Sequence, residues 1–233
     1  VYVKRSGMGL VRAMVGSDSV LRGPHQVERF AEVALGQAPE FGAGLRPRLV
    51  VDPDRRKQAA EDLGVVCGEA GPLGLVLGAR HATKRWPAAH WAALCRLARE
   101  DGQPVVLLGG PDGAETAEQV VAELGDWAPA VLLQGDLGRL AARLSQCRLV
   151  VCPDSGPGHM AAALGLPTVS LFGSTAPERW APLGPRVQVL SLDLSCAPCS
   201  NHGSATCPLD SFDCMRQLKP ELVWEAVRRG LQD

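Results

Sequence analysis

The chain has 233 residues, of which 46% are hydrophobic and 21% are charged, and its formal net charge is −1. This composition is typical of a soluble globular protein, and it excludes disorder, collagen and coiled coil as descriptions of the whole chain. The balance of 24 basic and 25 acidic residues argues against a general nucleic-acid binder, which needs surplus Lys and Arg to displace counterions.

No apolar stretch reaches the roughly 20 residues that span a bilayer. The longest candidate, Ala161–Gly173, is interrupted by Gly165 and Pro167. The start of the chain lacks an initiator Met and the apolar core of a signal peptide. We therefore expect a cytoplasmic protein, and a chain that is a piece of a longer one.

The first 68 residues contain few regular elements. The pattern predicts a helix over His25–Leu35, a short strand over Leu49–Val51 and a second helix over Asp54–Leu63. Because these elements are too few for a doubly wound domain, residues 1–68 are interpreted as the tail of an incomplete N-terminal domain plus a linker.

Residues 69–233 alternate between apolar runs of strand length and segments with helical spacing. The predicted strands are Gly74–Leu77, Val105–Leu108, Val131–Leu133, Leu149–Cys152, Thr168–Phe172 and Val187–Leu190. The predicted helices are Pro87–Glu100, Ala114–Leu124, Leu137–Ser145, Pro157–Leu164 and a closing helix, Pro220–Gly230. This alternation predicts an α/β fold with a Rossmann-like, doubly wound parallel sheet that is covered by helices on both faces.

Two loops at the carboxyl ends of predicted strands have the composition of an anion site, and ligands bind at that edge of such sheets. The loop Gly78–Pro87 carries several cations, and its Lys84 can meet a phosphate as a point charge. The turn Asp154–Gly158 joins a strand to a helix whose first N–H groups favour anions, and Ser155 is a candidate cap for that helix. A solvated basic turn and an ordinary capped turn are the alternative interpretations.

A third loop, Phe172–Trp180, again follows a strand and places hydroxyl groups at the rim of the sheet. Alone it is a weak signal. Together the three loops describe a cleft suited to a diphosphate. A sugar nucleotide is one ligand of this kind, and composition alone does not separate it from other phosphorylated ligands.

Four stretches of the sequence resemble a known family. They are Gly78-Ala79 with Lys84-Arg85-Trp86-Pro87, then Leu107–Pro111 with Glu115, then Asp154–Gly165, and finally Leu171–Pro177. Over roughly residues 73–233 their order and spacing strongly resemble glycosyltransferase family 9, the ADP-heptose:lipopolysaccharide heptosyltransferases. The resemblance implies a GT-B enzyme with two Rossmann-like domains, of which this chain holds the C-terminal, donor-binding part.

The resemblance also implies roles for the donor-binding residues. Lys84 would neutralise the diphosphate of the donor and so assist its departure. Asp154, Ser155 and Gly156, with the following helix start, would hold the same phosphates and the sugar, and His159 would support that turn.

Two further positions are implied at the nucleoside. Glu115 would bind the ribose hydroxyls, and the turn that contains Asp136 would line the adenine. Ser155 replaces the usual Thr of the family and keeps its hydroxyl, whereas Ser174 and Ala176 depart from the family's Pro-Thr-Asp-Pro, so no carboxylate role is expected at Ala176.

The implied reaction is an inverting transfer of heptose from ADP-heptose to the lipopolysaccharide inner core, at the cytoplasmic face of the inner membrane, with peripheral contact with that membrane. No cofactor is expected to be required, because a Lys and a helix start can replace a metal ion and no clustered Asp-x-Asp pair is present. In the family the general base lies near the start of the N-terminal domain, so we expect it outside this chain. We therefore predict that the 233 residues alone bind donor weakly and do not turn over.

A separate cluster of cysteines lies near the C-terminus. Cys196, Cys199, Cys207 and Cys214 approach the spacing of a four-thiolate zinc site, and His202 is a spare candidate ligand. A structural zinc ion, a reduced thiol-rich loop and disulfides are the three interpretations, of which the cytosol disfavours the last.

Three alternatives to a heptosyltransferase remain at this point. The first is a transferase that uses another sugar nucleotide, and the second is a non-catalytic nucleotide-binding module. The third is a zinc-stabilised interaction domain in which Arg80, Lys84 and Arg85 meet an anionic surface.

Overall fold

The computed structural model describes residues 25–35, 47–64, 71–133 and 135–232. Two helices precede the sheet, α1 (Gln26–Leu35) and α2 (Pro53–Gly64). The strand predicted over Leu49–Val51 is wrong: these residues form no strand, and the Leu49 amide donates instead to the carbonyl of Ala163. The three apolar residues have strand propensity, but their backbone lies beside the end of a helix rather than beside a strand. The predicted boundary at residue 68 lies outside the described residues.

Six parallel strands form one sheet in the order β3-β2-β1-β4-β5-β6. Their bounds are β1 (Leu73–Val76), β2 (Val105–Leu108), β3 (Ala130–Leu132), β4 (Leu149–Pro153), β5 (Thr168–Phe172) and β6 (Val187–Ser191). This is the strand order of a doubly wound Rossmann sheet, which confirms the predicted fold class. All residues of β1, β2, β4 and β5 are buried, because helices cover both faces of the sheet.

The remaining helices connect the strands or close the chain. They are α3 (Ala88–Glu100), α4 (Ala114–Leu124), α5 (Leu137–Leu144), α6 (Gly156–Ala163), α7 (Pro177–Trp180), α8 (Asp213–Arg216) and α9 (Pro220–Gly230). Helices α3, α4 and α9 contribute to the larger apolar core on one face of the sheet, and α5 and α6 contribute to the smaller core on the other. In the part of the chain that the structure describes, no helix is long and apolar enough to cross a membrane.

Helix α6 lies unusually close to the sheet. A Cβ atom on Gly158 would lie 2.6 Å from Cys152 Sγ in β4. A side chain at this position would therefore push α6 away from β4. The absence of a side chain fixes the first turn of α6 at the carboxyl edge of the sheet, where the candidate site lies.

Candidate functional site

A cavity of about 490 Å³ lies at the carboxyl edge of the sheet, between the loops that follow β1 and β4. Between these neighbouring strands the order of connections reverses, which is where open α/β sheets bind their ligands. The volume is in the range of small-molecule sites. The loop after β1 contributes Gly78, Arg80, His81 and Lys84; the turn after β4 contributes Asp154, Ser155, Gly156 and Pro157.

An ion pair joins these two loops across the cavity. Lys84 Nζ lies 2.6 Å from Asp154 Oδ2, and the two side chains are 15% and 7% exposed. The sequence predicted that both residues line one cleft for a diphosphate, and the structure brings their side chains into direct contact. Because an ammonium group has three N–H donors, pairing with one carboxylate oxygen leaves donors for a ligand.

The loop after β5 contacts Asp154 and Thr83, the residue that precedes Lys84. Thr175 donates its hydroxyl to Asp154 Oδ2 at 2.6 Å, and the neighbouring Ser174 donates its hydroxyl to Thr83 Oγ1 at 3.1 Å. Both hydroxyls were predicted to lie at the rim of the sheet, but Ser174 and Thr175 are 0% and 1% exposed. Sequence reasoning did not identify Ser174 and Thr175 as site residues. Their position directly after β5, the strand next to β4, indicated that they would lie at the same edge of the sheet as Asp154.

The start of α6 forms the floor of the cavity beside Lys84. Ser155 occupies the position before the helix, as predicted, but its hydroxyl donates to the Pro153 carbonyl and does not cap the helix. Gly156 and Pro157 begin the helix. Pro157 has no N–H, and the Gly158 amide donates to the Ser155 carbonyl at 3.1 Å, which leaves the amide of Gly156, a residue that lines the cavity. With the helix dipole, this amide makes the end of the cavity favourable for anions.

His159 lies one turn into α6 and does not line the cavity. Although part of its surface is exposed, desolvation lowers its pKa; Asp154 opposes that effect, and the nearby His25 and Lys84 add to it. A neutral imidazole near Asp154 is consistent with the supporting role implied for His159, which stays a prediction.

The far end of the cavity is apolar, and the carboxylate that lines it is Asp112 instead of the expected Glu115. This end is lined by Gly109–Asp112 after β2 and by Leu137 and Leu140 of α5. A Cβ atom on Gly78 would lie 2.6 Å from Asp112 Oδ1, so the bare backbone of Gly78 is what allows Asp112 to lie against the β1 loop.

Glu115 and Asp136 lie beside this end without lining it. Glu115 is exposed in the first turn of α4, one short turn beyond Asp112. Asp136 caps α5 by accepting the Arg139 amide at 2.8 Å, and it pairs with Arg55 at 2.7 Å, which together lower its pKa. The neighbouring Leu137, 72% exposed, lines the cavity instead. The ribose and adenine roles therefore stay predictions for Glu115 and Asp136, and the geometry favours Asp112 and Leu137.

The cysteine cluster lies behind one wall of the cavity. The Cys199 amide donates to the Ser174 carbonyl at 3.0 Å, and His202, three residues on, lines the cavity. Burial raises the pKa of Cys199 to about 11 and that of Cys214 to about 12, and the neighbouring thiols contribute in the same direction.

All four cysteines of this cluster, Cys196, Cys199, Cys207 and Cys214, are free thiols. Over residues 25–35, 47–64, 71–133 and 135–232, no group of three or more His, Cys, Asp or Glu side chains is arranged to hold a metal ion. Within these residues the thiols are therefore not arranged as a zinc site, which was one of the three interpretations of the cluster.

Comparison with known proteins agrees with the resemblance seen in the sequence. The family model described as glycosyltransferase family 9 (heptosyltransferase) matches residues 8–209. The chain is 36% identical over 215 residues to lipopolysaccharide heptosyltransferase 1 of Pseudomonas aeruginosa, covering 86% of this chain and 58% of that protein. It is 30% identical over 182 residues to lipooligosaccharide heptosyltransferase 2 of Haemophilus influenzae, covering 72% of this chain and 52% of that protein.

A solved structure shows the same fold. The structure of Escherichia coli ADP-heptose lipopolysaccharide heptosyltransferase II superposes with a TM-score of 0.73 at 24% identity, covering 90% of this chain and 62% of the other. The chain thus spans a little over half the length of the curated relatives it matches. With the family model matched over most of its length, this chain belongs to glycosyltransferase family 9.

Proposed function

We propose that this chain forms the donor-binding part of a heptosyltransferase that transfers heptose from ADP-heptose to the lipopolysaccharide core. The observation that carries the proposal is the Lys84–Asp154 pair at the start of α6, inside a cavity of nucleotide size. The relatives supply the substrate classes: their names include lipopolysaccharide, and the Escherichia coli structure is described as an ADP-heptose enzyme.

Charge decides how the donor lies in the cavity. A diphosphate is repelled by Asp154, so it is held by the remaining Lys84 N–H donors and by the Gly156 amide at the positive end of α6. Asp154 then has two tasks: it holds Lys84 in place through Oδ2, and its Oδ1 accepts a hydroxyl proton of the sugar. This assignment separates the phosphate contacts from the sugar contact, which the sequence left combined.

The rest of the cavity suits the nucleoside. The base packs against Leu137 at the apolar end, and the Asp112 carboxylate accepts hydrogen bonds from the ribose hydroxyls. The sugar then lies near the opposite end, beside His202 and His81.

The reaction breaks the bond between C1 of the heptose and the β-phosphate oxygen, and a new bond forms between C1 and an acceptor hydroxyl. Negative charge grows on the departing diphosphate, so a fixed ammonium group and oriented amides stabilise the transition state more than the bound donor. In this way Lys84 and the start of α6 supply the stabilisation that a metal ion gives elsewhere. The general base that takes the acceptor's proton belongs, as the resemblance implies, to the N-terminal half of the family's fold. Because the acceptor is a lipid-linked sugar, the reaction takes place at the cytoplasmic face of the inner membrane.

Calorimetric titration of the 233-residue chain with ADP, AMP and adenosine tests this proposal. Loss of one charge-assisted contact costs about 1.5–3 kcal/mol, so we expect Lys84→Met to raise the Kd for ADP by about 10- to 100-fold. The same change should alter adenosine binding little. Lys57→Met is the matched control, because Lys57 is an exposed Lys on α2 that does not line the cavity.

Two results would overturn the phosphate site. One is a Kd for ADP that Lys84→Met leaves unchanged, and the other is adenosine binding as tightly as ADP. A third titration separates the donor classes: UDP binding as well as ADP would favour a transferase for another sugar nucleotide.

A further inference from the structure

Buried hydroxyl groups make hydrogen bonds to Asp154 and to Thr83, the residue that precedes Lys84. Asp154 Oδ2 accepts the Thr175 hydroxyl at 2.6 Å, on the same oxygen that contacts Lys84. The residue before Lys84, Thr83, is itself 2% exposed and joined to Ser174. Of two adjacent residues in one loop, Thr175 thus contacts Asp154 directly, and Ser174 contacts the neighbour of Lys84.

The Thr83 hydroxyl uses its full hydrogen-bonding capacity. It donates to the Ser204 carbonyl at 3.1 Å, and it accepts from the Ser204 amide at 2.9 Å and from the Ser174 hydroxyl at 3.1 Å. One donor and two acceptors are all that a hydroxyl offers. The Thr83 amide adds a fourth bond, to the Ser204 carbonyl at 3.2 Å. Residue 83 is therefore fixed in orientation, and with it the backbone from which the Lys84 side chain extends.

The segment Cys199–Ser204, which contacts Thr83 through Ser204, is also fixed by hydrogen bonds. The Ser174 carbonyl accepts the amides of Cys199 and Ser200 at 3.0 and 2.9 Å, so the segment that carries Ser204 is fastened to the loop after β5. The Ser200 hydroxyl in turn accepts the Gly203 amide at 2.9 Å. These bonds link the loop after β1 to the loop after β5 through buried polar groups, which are costly to break.

We propose that Thr83, Ser174 and Thr175 are positioning residues that hold the Lys84 ammonium and the Asp154 carboxylate in register for the donor's diphosphate. This inference rests on the proposed function of Lys84. A lysine has four rotatable bonds and a strong preference for water, so an unbraced Lys84 spends part of its time away from the cavity. Because the Lys84 backbone and the Asp154 side chain are already held in place, binding a diphosphate orders fewer groups and its entropic cost is lower.

The test compares valine and serine at the two threonines by calorimetric titration of the chain with ADP. Thr83→Val and Thr175→Val keep the shape of the side chain and remove the hydroxyl, and we expect each to raise the Kd for ADP by about tenfold. Thr83→Ser and Thr175→Ser keep the hydroxyl and should lie within about twofold of the unchanged chain. Thr168→Val is the matched control, because Thr168 is also 1% exposed and loses a comparable bond, to the Leu166 carbonyl, at the other edge of the sheet.

A double substitution distinguishes positioning from general loss of structure. In the Lys84→Met background, Thr83→Val should change the Kd for ADP by less than about twofold, since its effect passes through Lys84. Should Thr83→Val fold poorly, Ser174→Ala removes a single bond to Thr83 and should raise the Kd by about threefold.

The outcomes separate the two proposals. If Lys84→Met leaves the Kd for ADP unchanged, both the phosphate site and the positioning role of the three hydroxyl residues are overturned. If Lys84→Met weakens ADP binding while the valine variants bind like Thr168→Val, only the positioning role is overturned. An equal loss from Thr83→Val with and without Lys84 would also overturn it.

Discussion

Breaking the Lys84–Asp154 pair tests whether the site is held by buried electrostatics. Lys84→Met leaves a carboxylate that is 7% exposed and keeps the Thr175 hydroxyl as its contact. Removing one partner of a buried pair costs about 3–5 kcal/mol. Because Asp154 borders a cavity, we expect Lys84→Met to lower the free energy of unfolding by about 3 kcal/mol, the lower end of that range.

The reverse change is expected to cost less. Asp154→Asn leaves an ammonium group on a long stem that is 15% exposed and can turn toward water, so the loss should be about 1–2 kcal/mol. The double variant Lys84→Met/Asp154→Asn removes both charges. Its loss should fall short of the sum of the single losses by at least about 1.5 kcal/mol, because the unpaired charge that makes each single change costly is absent.

Urea unfolding of the four proteins at neutral pH measures these free energies, with the slope of the transition checked for each variant. Arg96→Met is the matched control, because Arg96 pairs with Glu123 at 3.1 Å while both side chains are about 40% exposed. We expect that control to cost less than about 1 kcal/mol. A Lys84→Met cost as small as that of the control, or an additive double variant, would refute the reasoning.

Three further predictions concern pH, packing and the thiols. Desolvation lowers the pKa of His90 below its ordinary value of 6.5, so the unfolded chain binds the proton more readily and the free energy of unfolding falls as pH drops from about 7 to about 5. His90→Gln should flatten that pH dependence in urea titrations, and an unchanged slope would contradict it. Gly158→Ala should cost about 2 kcal/mol of stability and weaken ADP binding by displacing α6 from Cys152, and a variant with unchanged stability and affinity would argue against the close approach. Because the pKa of Cys199 is raised to about 11, its alkylation by iodoacetamide, followed by mass spectrometry, should be slow at pH 7 and rise about tenfold per pH unit; fast labelling at pH 7 would contradict the burial of its thiol.

Much of the fold could be predicted because hydrophobic burial alone decides it. The four inner strands, β1, β2, β4 and β5, are buried on both faces, so each appears as a continuous apolar run. The six strands predicted within residues 69–233 all lie within one residue of their observed bounds. Leu49–Val51 has the same apolar character but no strand beside it. Strand propensity shows which residues suit a strand, but a strand forms only where a second strand from a distant part of the chain lies beside it.

The site was predicted where topology determines it. Lys84 and Asp154 follow neighbouring strands, β1 and β4, so their meeting at one edge of the sheet follows from the strand order. Ser174 and Thr175 also follow a neighbouring strand, but short hydroxyl side chains are common on surfaces. Nothing in their spacing showed that they would be buried against the ion pair.

The nucleoside end was predicted less well because small backbone shifts decide it. Asp112 lines the cavity and Glu115 does not, and a short 3₁₀ turn at Pro111–Gly113 lies between Asp112 and the start of α4. Similarly, Asp136 is used by its own helix as a cap and by Arg55 as an ion-pair partner. Capping and ion pairing compete with ligand binding for the same carboxylates, and a sequence does not show which of them prevails.

A crystal structure of the 233-residue chain with ADP tests the central claim most directly. It should place an oxygen of the diphosphate about 2.7–2.9 Å from Lys84 Nζ and close to the Gly156 amide at the start of α6, with the Lys84–Asp154 contact retained. A diphosphate bound elsewhere, with Lys84 still engaged by Asp154 alone, would contradict the account.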